Sequence, residues 1–198
     1  MISRGARGMS LVELLVALSI LAILILIGIP SYQQWLLNTR VRSAAESIQN
    51  GLRYARNEAV QRSTNVMFSL ASGNSPNWTV CQSSSGNSCP ASGSSVLQVY
   101  ASTNANVGVS ITTSTLATAV AAGAYKNTVS GNGGSIIFNS LGRPTSYNNN
   151  SIIRIDAYTS STNTDNVRRL MTTISPGGEI NMCDTGIPFS ATNTQGCQ

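Results

Sequence analysis

Residues 11–29 read LVELLVALSILAILILIGI. The run is apolar at nearly every position, and as a helix it would extend roughly 28 Å at 1.5 Å per residue. A bilayer core is spanned by about 20 such residues. A secretory signal peptide has a shorter apolar stretch and ends in a small-residue cleavage site of the A-x-A kind. Here Gly28, Ile29, Pro30, Ser31 and Tyr32 follow instead, so the segment reads as retained. Arg4 and Arg7 precede it, which holds the N-terminus on the cytoplasmic side and sends the rest of the chain outward.

Glu13 is the residue that an ordinary membrane anchor would lack. A carboxylate costs about 2.5–3.5 kcal/mol at mid-bilayer and less near an interface. One account leaves Glu13 solvated at the headgroups. The other gives it a cation: cleavage between Gly8 and Met9 would create an α-amino group four residues before Glu13, on this chain and on a neighbouring copy. A buried pair of that kind contributes registry more than raw stability.

Beyond the apolar run the helix continues. Val41, Ala44, Ala45, Ile48, Leu52, Ala55 and Ala59 recur at three- and four-residue spacing, with Arg40, Arg42, Arg53, Arg56 and Arg62 among the intervening positions. That pattern predicts a narrow, alanine-rich stripe able to lie close against a sheet, with the arginines on a solvated face or at neighbouring subunits. Pro30 removes a hydrogen-bond donor and is expected to kink the helix near the outer membrane face.

After Thr64 the period changes to two. Val66, Phe68 and Leu70 alternate with polar residues, as do Trp78 and Val80, across the turn-forming Gly73-Asn74-Ser75-Pro76. Further strands are expected at Val96–Tyr100, Val107–Ile111, Ser135–Phe138, Ile152–Tyr158, Val167–Ile174 and Ile180–Met182. Short strands at this spacing predict two packed antiparallel sheets and not βαβ units. The stretch from Thr112 to Asn132, rich in Ala, Thr and Gly, fits a strand pair or a loop equally well.

Composition narrows the chemistry. The 198 residues suffice for one domain with a core plus one further element. Only 10 % of them are charged, against about 25 % in ordinary soluble domains, and Ser, Thr, Asn and Gly take their place. The formal charge is +5; removing Arg4 and Arg7 leaves 10 − 7 = +3 on the side chains. That is too weak a balance for a dedicated nucleic-acid binder. The chain has no histidine, which excludes Ser-His-Asp and Cys-His nucleophile systems and His-ligated metal sites. No catalytic residue, metal or cofactor is therefore expected. Gly131-Asn132-Gly133-Gly134 lacks the lysine and helix of a phosphate-binding loop and reads as a turn.

The cysteines are Cys81, Cys89, Cys183 and Cys197. Their spacing is not that of a zinc site, and disulfides imply an oxidising compartment such as the periplasm. Four cysteines allow three connectivities. Pairing near neighbours closes the shortest loops, but the sequence does not choose.

Arg7-Gly8-Met9-Ser10-Leu11-Val12-Glu13 resembles the leader of type IV pilins and type II secretion pseudopilins: a short basic leader ending in Gly, then an apolar residue, then Glu fifth in the mature chain. Met9 stands where Phe is usual. The resemblance implies cleavage by prepilin peptidase, N-methylation of Met9, docking of Glu13 on an adjacent subunit, and an inner-membrane assembly platform as partner. Leu52-Arg53-Tyr54-Ala55-Arg56-Asn57-Glu58-Ala59-Val60-Gln61-Arg62 and the turn Phe138-Asn139-Ser140-Leu141-Gly142-Arg143 are similar to the group of pseudopilin H and the minor pilins FimT and FimU. The implied fold is α+β and pilin-like. A leader, 1–8, is removed; 9–30 spans the membrane; 31–63 is an amphipathic periplasmic helix; 64–198 is a globular β-domain.

Some members of that group bind DNA in natural transformation, through Gly-Arg-x-Arg just before Cys-Asp. Here Gly178-Glu179-Ile180-Asn181 precedes Cys183-Asp184, so Glu179 and Asn181 replace the two cations, and phosphate attraction falls accordingly. Arg143, Arg154, Arg168 and Arg169, with Lys126, remain as a candidate basic patch for a DNA-binding subunit. A structural role in filament assembly, as a priming or tip subunit, is the leading expectation.

Overall fold

A computed structural model describes residues 10–71, 75–83, 89–90, 92–102, 107–112, 134–145, 147, 152–159, 168–190 and 192–197, with side chains at all of these except 27, 30, 108–112 and 188. The chain falls into two compact units, Met1–Leu36 and Leu37–Gln198. One helix, α1 (Leu11–Arg62), contributes to both, and its helical backbone runs through Pro30.

In the second unit, β1 (Val66–Leu70), β2 (Trp78–Gln82), β3 (Val96–Tyr100) and β5 (Gly134–Phe138) form an antiparallel sheet in the order β3-β2-β1-β5. The other sheet, in the order β4-β6-β7-β8-β9, contains β4 (Val107–Thr112), β6 (Arg154–Thr159), β7 (Leu170–Ile174), β8 (Ile180–Pro188) and β9 (Gly196–Cys197). All its pairings are antiparallel except the short one between β8 and β9. The expected α+β fold with two sheets is therefore present. The stretch 113–132 of the unassigned segment lies outside the described residues, as does Val167 at the start of the expected β7.

The alanine-rich stripe explains how one helix serves two sheets. Val41, Ala44, Ala45, Ile48, Leu52, Ala55 and Ala59 are all buried. Val41, Ala44 and Ala45 rest on Val107, Ala157 and Leu170 of the five-stranded sheet. Ile48, Leu52, Ala55 and Ala59 join a larger core with Val66, Phe68 and Val80 from one sheet and Ile155, Ile174 and Ile180 from the other. Small side chains let the helix backbone approach closely, so these contacts are dense, and dense packing is what gives dispersion its weight. The backbone also links the sheets: Ile152 N–H donates to Ser135 O of β5 at 3.0 Å, and Ile174 N–H of β7 donates to Ile153 O at 3.0 Å.

Gly51 marks the tightest approach of α1. A Cβ there would sit 2.8 Å from Trp78 and 2.9 Å from Phe68. The indole is held in place, because its Nε1–H donates to Ser47 Oγ at 3.0 Å and its ring stacks on Tyr100 at 5.6 Å between centroids.

The helix ends where Thr64 N–H donates to Ala59 O and Ser63 N–H to Val60 O. These are the two bonds of a Schellman cap, with Ser63 in the left-handed region at φ 51°. Glycine usually fills that position, since it avoids the Cβ penalty.

The expected turn at Leu141–Gly142 is also built in tightly. Gly178, at φ +79°, faces Gly142 so closely that a Cβ would fall 2.0 Å from Gly142 O. The turn after β5 and the turn between β7 and β8 are thereby pressed together beside Arg56 of α1.

Two outcomes test this packing. Gly51→Ala gains about 1 kcal/mol of helix propensity but overpacks a rigid indole at a cost of about 1–3 kcal/mol. Its net effect is a lowered midpoint in denaturant unfolding of the detergent-solubilised chain. Ser63→Gly removes the left-handed penalty and raises the same midpoint, by about 1 kcal/mol in stability.

Candidate functional site

In the first unit the apolar side chains of the helix are exposed among the described residues. Leu11, Val12, Leu14, Leu15, Val16, Leu18, Ile20 and the apolar residues that follow to Leu26 are exposed, from 49 % at Ile25 to 77 % at Leu11. Isolated exposed leucines are ordinary, but a contiguous apolar surface of this size requires a lipid or protein environment. When α1 is divided at residues 27–30, neither Leu11–Leu26 nor Ser31–Arg62 alone is long and apolar enough to cross a membrane. The two together are, by length and composition.

Glu13 lies in the first turn of α1, where the partial positive charge of the helix N-terminus favours an anion. It shares its surroundings with Ser10, Val12, Val16, Ala17 and Ile20. Among the described residues no cation lies within ion-pair distance of Glu13. Gly8 and Met9, the expected processing site, lie outside the described residues.

Both disulfides join near neighbours. Cys81–Cys89 bridges a Cα separation of 5.7 Å and Cys183–Cys197 one of 5.1 Å. Cys89 Sγ lies 3.7 Å from Met67 O and 3.6 Å from Thr79 O, over the face of the β1–β2 pair that points away from the helix core. Cys183–Cys197 joins β8 to β9, so it draws the chain end into the five-stranded sheet. The sequence pattern showed no strand at residues 196–197 and placed the end of β8 at Met182.

The four arginines set out as a candidate DNA-binding patch are divided by the fold. Arg154, on β6 between β4 and β7, is only 1 % exposed. Its guanidinium grips both oxygens of Asp156, Nε at 2.8 Å and Nη2 at 3.0 Å. Arg169 reaches the same carboxylate at 3.4 Å and is itself largely covered. Arg154 is thus a core residue and does not present a cation to phosphate; the period-two pattern of Ile153, Ile155 and Ala157 hid this, because a strand covered on both faces buries its alternate positions too. Arg168 is exposed and stands 3.7 Å from Asp184, while Arg143 is exposed in the turn after β5. Arg168 and the buried pair thus face different acids, Asp184 and Asp156. Lys126 lies outside the described residues.

Asp156 was not singled out by sequence reasoning, although an Arg-x-Asp spacing on one strand face was its visible signal. Burial pushes its carboxyl above the ordinary range, and the hydrogen bonds and charges of Arg154 and Arg169 pull it back. The fork-to-fork geometry is that of an ionised carboxylate and a guanidinium. Removing the anion would strand two guanidinium groups, so Asp156→Asn should destabilise the chain by about 3–5 kcal/mol. Denaturant unfolding measures this, and a loss below 1 kcal/mol would show the carboxylate to be dispensable.

Comparison with known proteins supplies the family. The model described as type II transport protein GspH matches residues 44–178, and that of the prokaryotic N-terminal methylation motif matches residues 3–29. No curated protein matches the chain. Among solved structures, it is similar to the type IV minor pilin FimU of Pseudomonas aeruginosa in two crystal forms, at 16 % identity in each. One gives a TM-score of 0.51 over 77 % of this chain and 95 % of the FimU chain; the other gives 0.46 over 75 % and 98 %. The first of these likenesses shows a shared fold, in keeping with the two sheets and single long helix described above. The GspH match takes in the buried stripe from Ala44 onward, Gly142 and Gly178, and most of both sheets, well over half of the 198 residues; the chain therefore belongs to the family of type II transport protein GspH, the minor pilins and pseudopilins, and carries the N-terminal methylation motif of membrane-anchored pilus subunits.

Proposed function

We propose that this chain is a minor subunit of a type IV pilus or type II secretion pseudopilus that takes part in starting or capping the filament. It is made as a precursor, clipped between Gly8 and Met9 by prepilin peptidase and methylated at the new amine. Residues 11–29 then hold it in the inner membrane, with the two-sheet domain in the periplasm, until an assembly platform draws it into the filament. The disulfides suit that compartment.

The observation that carries this reading is Glu13, a single acid set in an otherwise apolar helix surface. A cation four residues upstream on an adjacent subunit would complete it, and the same apolar surface would pass from lipid to neighbouring helices. Outside the membrane, Glu13 thus acts as a register mark, since a buried charge tolerates few alternative alignments. Pro30 is the point at which the helix can loosen as it changes surroundings.

The arrangement of arginines favours this filament role over a DNA-binding one. With Arg154 and Arg169 committed to Asp156 and Glu179 exposed beside the Gly178 turn, only Arg143 and Arg168 of the four candidate arginines are exposed to release counterions from a duplex.

The test is Glu13→Ala, expressed beside the wild-type chain and followed into sheared filaments. The variant should still reach the membrane but be incorporated at least about tenfold less, as a lost pairing of roughly 1.4 kcal/mol or more implies. Mass analysis of the incorporated chains should find Met9 at the N-terminus. Equal incorporation of the variant would remove the docking role of Glu13.

A further inference from the structure

Just past the apolar run, Tyr32 and Trp35 stand one turn apart on α1 and are 62 % and 60 % exposed. Their rings form a pair, 5.9 Å between centroids and tilted by 32°. Each ring joins an apolar body to a polar tip, a hydroxyl on Tyr32 and an indole N–H on Trp35. An aromatic pair on the surface of a water-soluble domain has no reason to be this open, since rings of this size ordinarily bury most of their area. Side chains of this kind concentrate where lipid chains give way to headgroups, because there the ring is covered and the polar tip meets ester and phosphate oxygens.

The spacing along α1 fits that environment. Measured from Leu11, Tyr32 lies roughly 32 Å and Trp35 roughly 36 Å along a helix. The hydrocarbon core is about 30 Å thick, and the polar zone adds about 5–8 Å on each side. With Leu11 at the inner edge of the core, and a tilt of about 20° that shortens the two lengths by about 2 Å, Tyr32 falls at the outer edge of the core and Trp35 in the polar zone beyond it. Glu13 then sits about 3 Å inside the inner edge, where a carboxylate costs least. The first arginines of the helix, Arg40 and Arg42, come after the rings, as they should where the helix has left the lipid.

We infer that Tyr32 and Trp35 form a headgroup-level anchor, a lipid-binding surface for the glycerol and phosphate region of the outer leaflet. This rests on the membrane-inserted reading of residues 11–29 and adds to it a fixed depth. The pair sets where the helix stops in the bilayer, and so which residues an assembly machine must pull through the interface. The occupant is phospholipid, whose glycerol and phosphate region covers rings of this amphipathic kind.

The protein has two tryptophans, and Trp78 lies buried in the β-domain, so the fluorescence of Trp35 can be isolated by difference. The full chain and its Trp35→Phe variant are reconstituted into phosphatidylglycerol–phosphatidylcholine vesicles. The lipids carry bromine either close to the glycerol or close to the chain ends. The difference signal should be quenched at least about twofold more by the glycerol-proximal bromines. A second protein, Leu21→Trp in the Trp35→Phe background, reports the middle of the apolar run and should show the opposite preference. If Leu21→Trp is quenched by the deep bromines but the Trp35 signal by neither set, or more by the deep set, the anchor is overturned while insertion stands. If neither position is quenched, the membrane reading fails and takes the anchor with it.

Discussion

The second unit of this protein depends on how closely one helix can approach two sheets that share no strand. Ile48, Leu52, Ala55 and Ala59 fill the space between the helix axis and both β-layers, and Gly51 gives Trp78 room against the helix backbone. Larger residues along this stripe would lift the helix and open the seam between the sheets. The seam is reinforced where it is thinnest, by backbone hydrogen bonds at Ile152 and Ile153 and by the close contact of Gly142 with Gly178. Tyr147 adds a further tie across it, its hydroxyl donating to Ile174 O at 3.0 Å. Hydrophobic burial supplies the driving force, and these close approaches give it one arrangement.

The same helix follows the opposite rule in its first half. There the apolar residues face outward around the whole circumference, so no internal surface satisfies them. One secondary structure thus carries two solvation problems. Its later turns bury a stripe inside their own domain, and its earlier turns need an environment supplied by lipid or by other chains. The change occurs over a short stretch that holds Tyr32 and Trp35, side chains suited to a boundary. Lipid chains and neighbouring helices present similar apolar surroundings, so either would suit these turns.

Charge is used sparingly, and its placement separates structural from functional roles. Asp156 lies buried on β6 of the five-stranded sheet with Arg154 and Arg169 about it. Such an arrangement adds little net stability over apolar packing, but a partial version of it would be costly. Arg169, one residue before β7, extends the pair towards the neighbouring strand. Glu13 holds an analogous place in the first unit, a lone acid whose complement is absent from the described residues. The demand of Asp156 is met within the fold; that of Glu13 is, in the reading proposed above, met by a second molecule.

Local periodicity was legible in the order of residues. The 19-residue apolar run, the stripe from Val41 to Ala59 and the period-two strands are each encoded by neighbours within a few positions, because helix and strand geometry repeat over that distance. The N-terminal methylation motif and the turn at Gly142 were legible as well, through their likeness to a family whose model matches the chain. The partner of each cysteine, the strand at Gly196–Cys197, the burial of Arg154 beneath Asp156 and the contact of Gly178 with Gly142 were not. Each of these depends on a covered face or on a group brought close by folding. A charged residue on a strand looks solvated in sequence, and only the layer lying over it decides otherwise. The sequence by itself determined which segments are helix, strand and membrane-seeking, since those follow from the chemistry of adjacent side chains. The tertiary structure alone decided which polar groups are spent inside the molecule and which remain outside for lipid or for another subunit.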